Sequence, residues 1–388
     1  MAGLSPGSAG RKKRAKSTES LARVISAVFV SYRSAPLAAR AVDSFRQDAE
    51  RAGLAPEVVV VVNSGDEGEA AALSRVADRV LLPGENLGYA GGLNAGIAAS
   101  HGDPVVLANP DLVFLPGSVA ALAGAVARGG LAVAGPALFW DDAATLLLPP
   151  VEEPRPAELV RRALALDPAR NGLPFRREVR RALAREAAVR EGRSVEASGL
   201  SGALMAATRA TLGTVGPFDE RYRLYYEEND WQRRLRAAGG RVLFCGAARV
   251  VHRYAQSSRR EARAEAWFHE SERRYFESHF GDEGRRALAR AASAVPGRGP
   301  DLATAASLSW KAGEDVLVAV APVPVFRPFV LARPPAGATT FALPPEVRSG
   351  HPDVPWYARA FDRETFATLA EARLSSLSGS GGQAVGAD

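Results

Sequence analysis

Apolar and polar positions come in alternating blocks along the first third of the chain. Residues 24–30 read Val-Ile-Ser-Ala-Val-Phe-Val, and residues 57–62 read Glu followed by five valines. Nearly continuous apolar runs of this length suit parallel strands covered on both faces. Between them, 36–52 carries a helical pattern with Pro36 near its first turn. The pattern continues with a helix over 70–76, a short strand over 80–82, a helix over 93–99 and a strand over 104–108. A helix over 117–128 and a strand over 131–135 follow. This succession predicts an α/β fold, an open and mostly parallel sheet with helices on both faces. Ligands of such sheets bind at the carboxyl ends of the strands, where the polar and glycine-rich loops of this sequence fall.

The pattern changes after residue 140. Prolines and arginines dominate 141–197, and 157–166 and 177–189 read as basic amphipathic helices, so this stretch is expected to be a variable insertion. The α/β pattern resumes at Ser198 and runs to His252. A charged helix is expected over 259–280, then an Arg/Ala/Gly-rich stretch over 282–300. Beyond it, 316–320 and 323–331 are β-like despite Pro322, Pro324 and Pro328, and 366–374 reads as a helix. The expected organisation is a disordered basic tail over 1–22, a main domain over 23–285, a small β-containing module over 301–374 and a disordered tail over 375–388.

Composition narrows the partners. The chain has 388 residues, 47% of them hydrophobic, enough for a sizeable core. No apolar run reaches membrane-spanning length, and the N-terminal basic run leads into no signal-peptide pattern. The single cysteine, Cys245, fits a reducing compartment and a cytoplasmic protein. Of the net charge of +6, five charges sit in the N-terminal arm on Arg11, Lys12, Lys13, Arg14 and Lys16. The rest is near neutral, which argues against a nucleic-acid partner. The arm reads as a solvated tail or as a contact to anionic lipid.

Candidate chemistry lies in the loops. Ser31-Tyr32-Arg33-Ser34 follows the first strand and Asn63-Ser64-Gly65-Asp66 the second. The run from Asn86 to Gly96, with Gly88, Gly91 and Gly92, would bring backbone close to a ligand, and would equally serve a tight turn. Asn109-Pro110-Asp111 ends the fourth strand; its carboxylate could hold a divalent cation, or the tripeptide could be an ordinary turn. Tyr225-Tyr226-Glu227-Glu228-Asn229-Asp230-Trp231 then puts three carboxylates at a helix start, where the dipole favours them, and His252 closes an apolar strand. Such an acidic run is also common on a solvated helix start, and a lone histidine is often a satisfied polar residue.

Together, the NLGYAGGLNAGI loop, Asn109-Pro110-Asp111, the stretch from Ser201 to Tyr222, the YYEENDWQRRLRAAGGRV motif and His252 resemble the family 2 glycosyltransferases with the GT-A fold. The similarity is to rhamnosyl- and galactofuranosyl-transferase-like members and covers about residues 24–255. It implies a metal-dependent, inverting transfer of sugar from a nucleotide diphosphate to a glycan or lipid-linked acceptor in cell-surface polysaccharide assembly. It implies Glu228 as the base, with Glu227 and Asp230 in support. It implies Asp111 and His252 as ligands of a divalent metal, Mg2+ or Mn2+. Ser31, Tyr32, Arg33, Asn63, Asn86, Gly88, Tyr89, Gly91, Asn94 and Asn109 would face the nucleotide-sugar. Gly202, Ala203, Tyr226 and Trp231 would face the acceptor. Peripheral association with the inner face of the cell membrane follows from a lipid-linked acceptor.

Three positions depart from the family pattern. Val62 stands where an aspartate usually reads the nucleotide, with Asp66 as a substitute. Asn109 replaces an acid, and Glu228 replaces the usual aspartate, moving the carboxylate by about 1.5 Å. The alternatives are a nucleotidyltransferase, disfavoured because the first loop lacks glycine, and a non-catalytic binding protein on a degenerate scaffold.

Overall fold

A computed structural model describes residues 23–166, 172–253, 263–294, 300–324, 326 and 328–375. The expected tail over 1–22 and, past Ser375, that over 375–388 lie outside the described residues. The core opens with β1 (Val24–Ser31) and β2 (Ala55–Val62), parallel with Ser26 opposite Glu57 and Ser31 opposite Val62. They are joined by α1 (Ala35–Arg51), whose first turn carries Pro36. After α2 (Glu67–Leu73), β3 (Arg79–Leu81) adds outside β2. After α3 (Gly88–Ala99), β4 (Val105–Ala108) adds on the other side of β1. The apolar run of β1 serves two cores at once. Ile25, Ala27 and Phe29 pack with Phe45 of α1 and Leu122 of α4 (Ser118–Gly129), while Val28 and Val30 pack on the opposite face with Leu93 of α3. A strand buried on both faces has no place for alternating polar residues.

The second half of the domain closes over the carboxyl ends of these strands. It comprises β5 (Leu112–Phe114), β6 (Ala132–Phe139), β7 (Leu146–Leu147), α5 (Pro156–Leu164), α6 (Gly172–Arg190), β8 (Ser194–Glu196) and β9 (Leu204–Ala207). Then come α7 (Arg209–Val215), α8 (Glu227–Ala237), β10 (Arg241–His252) and α9 (Ala264–Ala292). β9 lies antiparallel between β4 and β6. β10 runs parallel to β6, and its end also pairs antiparallel with β5, setting His252 opposite Leu112.

The C-terminal residues form β11 (Thr304–Ala305), β12 (Leu308–Ser309), β13 (Val316–Ala321), β14 (Val330–Ala332), β15 (Thr340–Phe341), α10 (Pro345–Gly350), β16 (Trp356–Asp362) and β17 (Thr368–Leu374). Through β14 on β7 and β7 on β6, most of these strands continue the main sheet. α6 of the Pro/Arg-rich insertion covers one face of them, with Phe175, Val179 and Ala182 packed among Leu317, Ala319 and Phe361.

Four local expectations change. Residues 368–374 form a strand in place of the helix expected over 366–374: β17 pairs antiparallel with β16, burying Ala372 and Leu374 while Arg373 faces out. So short an apolar pattern fits either period, and the open edge of β16 decides it. The expected β stretch over 323–331 is reduced to the short β14. α3 starts at Gly88, so the glycines of the loop lie inside its first turns. α9 runs past residue 280 to Ala292, across a break at Gly281 with φ of 52°; the expected helical residues 259–262 lie outside the described residues.

Candidate active site

A cavity of about 370 Å³ opens at the carboxyl ends of β1, β2 and β4. At one wall, Asp111 follows β4 and His252 ends β10. Pairing of β10 with β5 brings them together: the Arg253 N–H donates to the Asp111 carbonyl at 3.1 Å, and His252 Nε2 lies 3.4 Å from Asp111 Oδ1. Both residues are buried, at 4% and 6% exposure, yet Oδ1 has no hydrogen bond among the described residues. A buried carboxylate oxygen left without a donor is costly unless something else meets it.

Glu227 and Glu228, at the first turn of α8, line the same cavity. The chain reaches them through two successive left-handed residues, Tyr225 (φ 66°) and Tyr226 (φ 67°). Left-handed backbone costs a non-glycine residue free energy, and two in a row persist only where the surroundings impose them. Burial and the neighbouring Glu228 charge push the Glu227 carboxyl well above the usual carboxylate range. Burial also raises Glu228, against the backbone N–H groups of α8 and Asn229, which pull it down. The Glu228 charge beside Glu227 makes it harder for both carboxyls to be ionised at once. Oε2 of each is buried and meets no donor among the described residues. Such a pair can accept one proton readily, which a general base requires.

The loops after the strands form the rest. Tyr32, Asn63, Asn86, Gly88 and Tyr89 line one side, with Asn109, Gly202 and Ala203 nearer the carboxylates. Asn63 donates through Nδ2 to the Gly88 carbonyl at 2.6 Å, and its Oδ1 is buried without a partner among the described residues. Asn86 accepts from the Gly88 N–H at 2.9 Å, which turns the loop into α3. Asn109 N–H donates to the Ala203 carbonyl at 2.8 Å. Burial, then the charges of Glu227, Glu228 and Asp111, raise the Tyr89 phenol far above its ordinary value, so it stays a donor. Its hydroxyl donates to the Gly202 carbonyl at 3.2 Å.

Other expected site residues support the cavity without lining it. Ser31 is buried and donates to Glu69 at 2.6 Å; the Arg33 N–H donates to the same carboxylate at 2.9 Å. Gly91 is buried inside α3 against Leu87. Asn94 donates to the Phe218 carbonyl and to Glu220, and accepts the Phe218 N–H. Tyr226 donates to Glu272 at 2.9 Å inside an aromatic cluster with Tyr275 and Phe276. Trp231 is 1% exposed, stacks on Phe218 and donates its indole N–H to the Gly216 carbonyl. Asp230 is held by Arg234 and His279, both at 2.9 Å, and these bonds overcome burial to lower its carboxyl. Val62 is fully buried, and Asp66 caps α2 by accepting the Glu69 N–H at 2.7 Å.

Several contributors escaped the sequence reading. Glu69 ties the first two loops together through Ser31, Ser34, Ser64 and the Arg33 N–H. Arg223 and Tyr225 line the cavity directly before the acidic run, a position that could have flagged them, and Trp267 reaches it from α9. Among the described residues, no group of three or more His, Cys, Asp or Glu side chains is gathered as a metal cage. No helix among them is long and apolar enough to cross a membrane.

The family model described as Glycosyl transferase family 2 matches residues 26–188. An N-acetylglucosaminyl-diphospho-decaprenol L-rhamnosyltransferase, matched in each of two strains of Mycobacterium tuberculosis, is 32% identical over 255 residues, which is 61% of this chain and 78% of that protein. Similar solved structures include GalNAc-T7 with UDP, GalNAc and Mn2+ (TM-score 0.44, 12% identity, 93% of this chain and 73% of that one). Another is the mannosyltransferase PcManGT of Pyrobaculum calidifontis with GDP-Man and Mn2+ (TM-score 0.39, 17% identity, 71% of this chain and 77% of that one). At these scores the likeness is loose, and the architecture rests on the chain's own strand order.

Proposed function

Because the chain belongs to glycosyl transferase family 2, we propose that it moves a sugar from a nucleotide-diphosphate donor to an acceptor hydroxyl with inversion. The donor is a dTDP- or UDP-sugar, rhamnose-like by analogy with the mycobacterial relative, and the acceptor is a glycan on a lipid carrier, as that relative's name states for it. The work belongs to cell-surface polysaccharide synthesis, on the cytoplasmic side of a membrane that the chain touches peripherally. The single observation that carries the reading is the cavity itself, lined both by Glu227 and Glu228, each with a buried oxygen that meets no donor among the described residues, and by an unsatisfied Asp111 beside His252.

The roles divide among the residues of the cavity. Glu228 takes the proton of the acceptor hydroxyl as its oxygen bonds to the anomeric carbon and the bond from that carbon to the diphosphate breaks. Glu227, pushed well above the usual carboxylate range by burial and the Glu228 charge, keeps its own proton and leaves Glu228 as the group that receives one. Tyr32, Asn63 and Asn86 face the nucleotide-sugar, with Asn109 near its diphosphate. Asp111 and His252 fit a divalent cation, Mg2+ or Mn2+. Asp111 Oδ1 is buried without a hydrogen bond, and one carboxylate with one imidazole leaves open positions for diphosphate oxygens. When bound, such a cation would supply positive charge against the negative charge that develops on the departing diphosphate. Ser31, Arg33, Gly91, Asn94, Asp230, Tyr226 and Trp231 act by holding these walls.

The test is a panel of nucleotide-sugars with and without Mn2+ or Mg2+, read as donor binding and slow donor hydrolysis. The reading expects at least one donor to bind in a metal-dependent way and turn over. No binding from any donor under either condition would sink it.

A further inference from the structure

The glycine-rich loop and the carboxyl pair touch each other at two points. At the first, the Tyr89 N–H donates to the Arg223 carbonyl at 2.7 Å, and Arg223 Nη2 donates back to the Asn86 carbonyl at 2.9 Å. Gly88 lies against the same backbone: its φ is 74°, and a Cβ there would meet the Arg223 carbonyl oxygen at 2.8 Å. Arg223 lies four residues before Glu227, ahead of the left-handed pair Tyr225 and Tyr226.

At the second point, the Tyr89 hydroxyl donates to the Gly202 carbonyl. Gly202 abuts the Glu228 side chain, and a Cβ on it would meet Glu228 Cβ and Cγ at 3.2 Å and Cδ at 3.3 Å. The segment carrying Gly202 is fixed on either side. Gln232, one turn along α8 from Glu228, accepts the Leu200 N–H and donates to the Leu200 carbonyl, while Ala203 accepts the Asn109 N–H. The far end of the loop is tied to the second strand by the bond from Asn63 to Gly88. One side chain, Tyr89, thus spans from the loop's backbone to the residue that bounds the Glu228 carboxylate.

We infer that Tyr89 is a positioning residue for the base: its hydroxyl, acting through Gly202, sets where the Glu228 carboxylate stands, so that the loop facing the donor also aims the group that activates the acceptor. This deepens the function proposed above and rests on it. Tyr89 has two attachments with separate consequences. Its N–H holds the backbone ahead of Glu227 and survives any side-chain change, while its hydroxyl holds Gly202 and is lost in phenylalanine. The half-buried ring keeps its packing in Tyr89→Phe, so removing the hydroxyl isolates the second point.

The experiment compares wild type with Tyr89→Phe and Gly202→Ala in full-length protein. Donor affinity is measured by calorimetry, turnover as kcat with saturating donor, and folding as the melting temperature. The expected result for Tyr89→Phe is a fall in kcat of about 10-fold or more, since small misplacement of a catalytic group is that costly, with donor affinity and melting temperature unchanged. Gly202→Ala, whose added methyl must displace Glu228 by a few tenths of an ångström, should lower kcat in the same way. Weakened donor affinity with kcat preserved would make Tyr89 a donor ligand and overturn the inference. A melting temperature that falls in step with kcat in both variants, or no change in either, would overturn it as well. A wild-type protein that binds no nucleotide-sugar overturns both this inference and the function beneath it, whereas an active wild type with unaffected variants overturns this one alone.

Discussion

At the amino ends of β1 and β2, Glu57 receives hydrogen bonds from the Ser26 hydroxyl, the His101 backbone N–H and imidazole, and the Gly102 N–H. At the carboxyl ends of the same strands, Glu227, Glu228 and Asp111 each keep a buried oxygen that no hydrogen bond meets among the described residues. Burial raises carboxyls at both ends. Around Glu57 the donors outweigh it and bring the carboxyl down to about 2; around Glu227 and Glu228 they do not, and the pair stays high. One sheet thus carries a saturated carboxylate that ties loops together at one end and carboxyls with unmet oxygens at the other. A carboxylate's part in this molecule follows from how many donors its neighbours supply, not from its being acidic. Asp230 repeats the lesson within one turn of α8: three residues from Glu227 in sequence, it is satisfied by Arg234 and His279 and serves packing.

The largest effect should come from the unsaturated end. Glu228→Gln is expected to lower turnover about 10²–10⁴-fold while donor affinity persists, because an amide cannot take the acceptor's proton. In the wild type the acid limb of kcat should lie above pH 4.5, since the pair's carboxyls are raised above that value and the base works only when deprotonated. An acid limb below that pH would contradict the assignment. Next in size, Asp111→Asn should cost about 100-fold in turnover, and should also remove the gain in donor affinity on adding Mn2+. Metal-strengthened binding that survives the change would separate Asp111 from the cation.

The smallest effect should come from the saturated end. Glu57→Gln is expected to destabilise the fold by about 1–2 kcal/mol at neutral pH, allowing for solvent screening, and to leave turnover within about twofold. Because the folded carboxyl is depressed from 4.5 to about 2, its contribution is complete above about pH 4.5 and is lost as the pH falls through the folded value. The gap in urea midpoint between variant and wild type should therefore close in acid. A variant equally stable at neutral pH would show that this end is no stronger than the other.

Much of the central architecture could be read from the chain alone. The valine run of 57–62 and the mixed apolar run of 24–30 favoured strands covered on both faces, because β-branched side chains suit a pleated surface buried on each side. The order of loops along the chain also pointed to the family and to Asp111, Glu228 and His252 together. Less legible were residues whose role depends on a distant partner. Trp231 looks like a sugar platform beside an acidic run, yet Phe218 and the Gly216 carbonyl draw its ring into the core. Asn94 looks like a donor contact within its motif, yet Phe218 and Glu220 take up its amide. Glu69 looks like a surface acid, yet four groups from two loops converge on it.

The sequence by itself determined the alternation of strands and helices in the central sheet, the end of the sheet on which the polar loops fall and the family to which the chain belongs, because local period and motif order are properties of the chain. The tertiary structure alone decided that 368–374 would be a strand, that the C-terminal strands would extend the main sheet, that Asp230 would be satisfied while Glu228 was not, and that Tyr89 would reach Gly202. Each of these depends on groups far apart in sequence that compete for the same hydrogen bonds and the same apolar surface, and that competition is settled only when the chain is packed.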